Sequence, residues 1–91
     1  MATVEFDEQP GKAYAALERT GRVRLLDAID DAVDNLEADP GDKRCRQRSF
    51  RDGRWGITVR DRDDNWVIIW ERDHAEDDLI VVRYLGLDPF A

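Results

Sequence analysis

One stretch constrains this chain more than any other: Trp55 to Leu85, WGITVRDRDDNWVIIWERDHAEDDLIVVRYL, holds three apolar runs separated by two strongly charged spacers. Trp55 to Arg60 alternates, with Trp55, Ile57 and Val59 on one side and Gly56, Thr58 and Arg60 on the other, the period of two of a half-buried strand. Trp66 to Trp70 is apolar at every position and rich in aromatic and β-branched residues, a pattern that fits a strand covered on both faces. It is therefore the expected central strand. Leu79 to Leu85 is nearly as apolar, with Arg83 its single charged interruption and Tyr84 beside it. The three runs read as an antiparallel meander, and a sheet this apolar needs helices laid on it.

The upstream sequence supplies them. Thr3 to Phe6 reads as a short strand, and Pro10 and Gly11 then break the pattern. A helix follows to about Arg19, with Pro10 in its first turn and Ala13, Tyr14, Ala16 and Leu17 as a small apolar stripe. Thr20 and Gly21 end it. In the second helix Val23, Leu26, Ile29, Val33 and Leu36 recur at spacings of three and four, while Asp27, Asp30, Asp31, Asp34 and Glu37 lie largely off that stripe. It is expected to stop at Asp39, Pro40 and Gly41. Arg46, Arg48 and Phe50 begin a further strand that leads through a turn at Asp52 and Gly53, and Pro89 closes the last strand, with Phe90 either folded back on the core or free. The fold class is thus α+β: a short N-terminal strand, a helix hairpin, and a three- to four-stranded antiparallel meander.

Ninety-one residues make one domain. The single cysteine, Cys45, excludes an internal disulfide and fits a reducing cytoplasm, and no cysteine–histidine cluster suggests zinc. No apolar run approaches the roughly 20 residues of a membrane span, and the start, MATVEFDEQ, lacks the pattern of a signal peptide. No membrane association is expected. A formal charge of -7 opposes general attraction to nucleic acid, yet residues 43–54 carry six basic side chains against Asp52, a local +5 that leaves -12 for the rest. So sharp a segregation lets one basic patch face one partner.

Most other candidate sites have plainer explanations. Asp61, Asp63 and Asn65 alternate as calcium ligands do, but Trp66 stands where the loop's glycine belongs and Arg72 where its last glutamate belongs. A hairpin loop fits better. His74 is the only histidine and sits in a charged turn with no serine or cysteine near it. Cys45, between Arg44 and Arg46, has its thiolate favoured by their field, but lacks a base and an oxyanion site. The strand positions of Trp55, Trp66 and Trp70 favour packing over base stacking. No phosphate loop, HExxH or GxSxG occurs, and no metal or cofactor is expected. What remains is an arginine set, Arg48, Arg51, Arg54, Arg60 and Arg83, with Tyr84. Arg83 in particular needs either an internal carboxylate or an external phosphate.

The order of short strand, helix hairpin, basic segment and terminal meander resembles the RelE/ParE toxin superfamily of bacterial type II toxin–antitoxin systems. Asn65 to Trp70, NWVIIW, is similar to that family's penultimate-strand motif, Asp-Tyr-Arg-Val-Ile-Tyr, with Val67 in place of its arginine. The family's His-Arg pair after the last strand has no clear equivalent in Leu87, Asp88, Pro89 and Phe90. The resemblance implies a toxin neutralised by an antitoxin protein. Members similar to RelE cut messenger RNA on the ribosome without metal, basic side chains holding the phosphate while the ribose 2′-hydroxyl attacks; members resembling ParE poison gyrase. In a nuclease of this kind Arg60, Arg83 and Tyr84 are the expected catalytic groups, and Arg48, Arg51 and Arg54 the expected phosphate- or partner-binding groups. The alternative is a non-catalytic protein-interaction module on the same scaffold. A central strand apolar on both faces, with helices for only one, also predicts that the other is covered by the basic segment, the C-terminal tail or another chain, and so a homodimer or a stable partner complex.

Overall fold

A computed structural model, describing residues 2–89, bears out the α+β layout. Strand β1 (Thr3–Phe6) leads into helices α1 (Glu8–Thr20) and α2 (Val23–Ala38), and the basic segment then passes through β2 (Arg48–Ser49) to the meander of β3 (Trp55–Asp61), β4 (Asp64–Arg72) and β5 (Leu79–Leu87). The five strands form one sheet in the order β1-β5-β4-β3-β2, with β1 parallel to β5 and every other pair antiparallel. The Trp66 to Trp70 run is its central strand, as expected. Phe90, whose placement the sequence left open, lies outside the described residues.

Local chemistry sets the helix ends. The Asp7 side chain accepts the Glu8 N–H at the start of α1, and Gly21, at φ 69°, takes the left-handed conformation that closes it. α2 buries Leu25, Ile29, Ala32 and Leu36. That corrects the expected stripe: Ile29 and Leu36 belong to both, but Val23 is 62% exposed and Leu26 and Val33 are half-buried. The small Ala32, rather than the larger Val33, faces the groove beside Ile57 and Val59 of β3, so the buried stripe is turned by about one residue from the expected one, with Leu26 and Val33 still packed at its margin.

The helices cover one face of the sheet. Ile57, Val59, Ile68, Trp70, Ile80, Val82 and Leu85 meet the α1 and α2 side chains in one cluster, and Trp70, fully buried, donates its indole N–H to the Cys45 carbonyl at 2.7 Å. That bond ties the basic segment to the core. Cys45 is itself fully buried, and burial pushes its thiol pKa up. The thiolate expected from Arg44 and Arg46 is therefore disfavoured, desolvation outweighing their field. The expected strand through Arg46 and Phe50 shrinks to Arg48–Ser49, because the 3-10 turns Lys43–Cys45 and Arg51–Gly53 occupy its flanks. In β5 the register shifts opposite Ile69 and Trp70, leaving Arg83 as an extra residue. This bulge lets both Val82 and Leu85 reach the core although they are three residues apart.

Candidate functional site: the open face of the sheet

The helix-free face is closed in miniature. A Cβ on Gly56 would lie 2.7 Å from Phe50 Cε2, and one on Gly86 would lie 2.6 Å from Tyr84 Oη, so each ring lies over a glycine. These glycines pair with Ile69 and Val67 of β4, and Val67 is fully buried. Glycine is required at both places for the rings to approach the backbone. Tyr84 also donates to the Leu87 carbonyl at 2.9 Å. Arg48 stands 5.4 Å from the Phe50 ring and is ion-paired with Asp88. The expected cover by the basic segment and the tail is thus seen in Phe50, Arg48 and Asp88.

The centre of charge on this face is Glu71, whose side chain is 8% exposed. Its Oε2 accepts the Arg54 Nε–H at 2.6 Å and lies 3.5 Å from Arg83 Nε, while Oε1 is 3.7 Å from His74 Nε2. Arg83 Nε is buried, and Glu71 Oε2 at 3.5 Å is its charge partner. At its other end Arg83 Nη1 donates to Asp7 Oδ2 at 3.2 Å. That bond raises the Arg83 pKa, and the Asp7 carboxyl is held below its ordinary range by the Glu8 N–H first and Arg83 second. Arg83 thus has the internal carboxylates that a half-buried guanidinium requires.

The sequence-predicted residues are only partly brought together. Arg54 and Arg83 converge on Glu71, with Tyr84 on the adjoining strand position. Arg60 pairs with Asn65, whereas Arg83 lies opposite Ile69 and Trp70; that offset of about five residues puts them roughly 17 Å apart along the strands. Arg51 is exposed in the turn after β2 and, among the described residues, makes no ion pair. Glu71 was missed because nothing local marks it: its role depends on a register across three strands. The one signal was parity, since Glu71 continues the Val67, Ile69 side of β4.

Chemically, the arginines gathered at Glu71 and Asp88 are charge-balanced. Arg54 and Arg83 are matched by Glu71 and Asp7, and Arg48 by Asp88. A phosphate entering here would have to displace carboxylates. Among the described residues no group of three or more His, Cys, Asp or Glu side chains is placed to hold a metal ion. Of the alternating acids of the β3–β4 turn, Asp61 is paired with Arg22. No described helix is long and apolar enough to cross a membrane. Compared with known proteins, the chain matches no family model, no curated protein and no solved structure.

Proposed function

We propose that this chain is a RelE/ParE-like toxin component that acts by binding a protein target through the open face of its sheet, not by cutting RNA, and that an antitoxin neutralises it in the cytoplasm. The element order and the NWVIIW strand support the family reading. One observation favours the protein-binding mode over the nuclease mode: Glu71 is buried between Arg54 and Arg83. Metal-free RNA cleavage needs cations available to the scissile phosphate together with a proton acceptor and donor. Here the guanidiniums converge on a carboxylate, and Arg60 stands at the far end of the sheet. Partly exposed arginines flanked by carboxylates and aromatic rings suit a protein interface, where guanidinium groups give directional hydrogen bonds.

Induced expression in a bacterial host tests both halves. The expected result is growth arrest with messenger RNA ends unchanged by primer extension, relieved by the double substitution Arg51→Glu with Arg54→Gln in a chain that still folds, since Arg54→Glu would set a second carboxylate against the buried Glu71. New cleavage sites in messenger RNA would restore the nuclease reading, with the ribosome as partner. Absence of any growth effect would leave the non-catalytic interaction module.

A further inference from the structure

The two edges of the sheet are finished differently. Along β5 most of the outer edge is occupied: β1 pairs with it to Val82, and Asp7 N–H then reaches the Val82 carbonyl. Beyond that the Gln9 side chain takes the place of a strand, donating to the Leu85 carbonyl at 2.9 Å and accepting the Leu85 N–H at 3.0 Å. Tyr84 covers the Leu87 carbonyl. Along β3 the cover stops early. β2 pairs only with Trp55 and Gly56, and the Gln47 side chain then accepts the Thr58 N–H at 2.9 Å and its hydroxyl.

Because backbone groups alternate in direction along a strand, the Thr58 N–H pointing away from β4 means that the Thr58 carbonyl and the Arg60 N–H and carbonyl also point outward. Among the described residues none of these three groups has a partner. Beside this edge a groove of about 370 Å³ runs between β3 and α2, with Ile57, Val59, Ala28 and Ala32 along it, Asp31 and Asn35 at its helix side and Arg60 at its strand side. Asp27, Asp31 and Asp34 are exposed on α2, and Arg44, which closes one end, is already paired with Asp42 at 3.1 Å.

We infer that this edge takes one extended, basic segment of a partner protein as a sixth strand, the segment displacing the Gln47 side chain from Thr58. This edge is a different surface from the open face invoked above, and the inference stands independently of that reading. The ladder would be made by Thr58 and Arg60 backbone groups, and alternate side chains of the segment would enter the groove. Lysine or arginine fits there, its stem along Ile57 and Ala32 and its charge at Asp31. A second copy of this chain fits poorly, since a two-fold axis through the edge would set α2 beside α2 with like charges facing.

The test uses the purified full chain and a synthetic peptide of alternating lysine and threonine. Binding should slow exchange of the Arg60 amide by about tenfold or more. Arg60→Pro removes an outward-facing N–H, which an edge strand tolerates, together with a side chain that reaches the Arg62 carbonyl; it should abolish binding while the thermal midpoint holds, whereas Arg60→Ala, which removes the side chain alone, should keep binding. Asp31→Lys should weaken binding severalfold. The inference is overturned by no binding, by equal binding of a glutamate–threonine peptide or of one N-methylated at alternate amides, or by a dimer that Arg60→Pro dissolves. A chain that binds the peptide at this edge yet arrests no growth overturns the toxin reading and leaves the edge standing.

Discussion

The two faces of this sheet are sealed by different means. Under the helices, Trp70, Ile68, Ile80, Val82 and Leu85 are buried against Leu25, Ile29 and Leu36, an apolar layer that needs no charge. On the other face two aromatic rings laid on Gly56 and Gly86 bury Val67, and ion pairs around Glu71 surround them. The difference teaches that a strand apolar on both sides does not need a second helical layer. A few rings and a charge network can cover it, and that cover, being polar and partly exposed, remains available to a partner.

If the helix side carries the stability, it should be the more costly to damage. Trp70→Ala removes a fully buried side chain and its bond to Cys45, and should cost about 3–5 kcal/mol in urea unfolding. The buried Cys45 thiol should then react with a thiol reagent without denaturant, which in the parent chain requires unfolding. Glu71→Ala leaves Arg54 and Arg83 facing each other with no carboxylate between them. Because Arg54 is 46% exposed, water compensates in part and the loss should be about 2 kcal/mol rather than that of a fully buried pair. Should Glu71→Ala cost more than Trp70→Ala, the comparison is reversed.

How far each region could be read from the sequence follows the same divide. β1, both helices and the three long strands were legible because local periodicity dictates them: Thr3–Phe6, the turn at Gly21 and the stop before Asp39 need no distant information. The α2 stripe was misjudged by about one residue, since Val33 and Ala32 are both apolar and only docking against β3 selects the smaller. The β5 bulge was invisible because LIVVRYL reads as a continuous strand. Among the candidate residues, the arginines stood out by charge, but Glu71, the group that organises two of them, begins what reads in the sequence as an ordinary charged turn and is in fact the next-to-last residue of β4. Its meaning is wholly non-local.

A smaller effect tests whether the aromatic lids matter. Gly56→Ala places a methyl group where Phe50 now lies, so the ring must move and uncover β4. The shift should cost about 1 kcal/mol, and Gly86→Ala should do the same through Tyr84. Alanine at either position with an unchanged urea midpoint would show that the rings can lift freely and seal nothing.

The smallest effects separate the faces by pH. On the open face Asp7 has a pKa below its ordinary 3.8, so it stabilises the fold above that value, and its contribution is lost as pH falls through the lowered folded-state pKa. In the helix layer Tyr14 donates to Asp30 at 2.8 Å, and that bond pushes the phenol from 10.0 up to about 12. A raised pKa has the opposite sign: the contribution is complete below pH 10.0 and disappears as pH rises through about 12. Asp7 is exposed, and Tyr14, though half-buried, makes its bond to Asp30 at the surface, so each limb should be shallow. Urea midpoints taken across pH should show Asp7→Asn flattening only the acid limb and Tyr14→Phe only the alkaline one. If Asp7→Asn altered the alkaline limb instead, the Arg83 bridge between α1 and the open face would be coupled to the helix hairpin, and the two faces would not be independent.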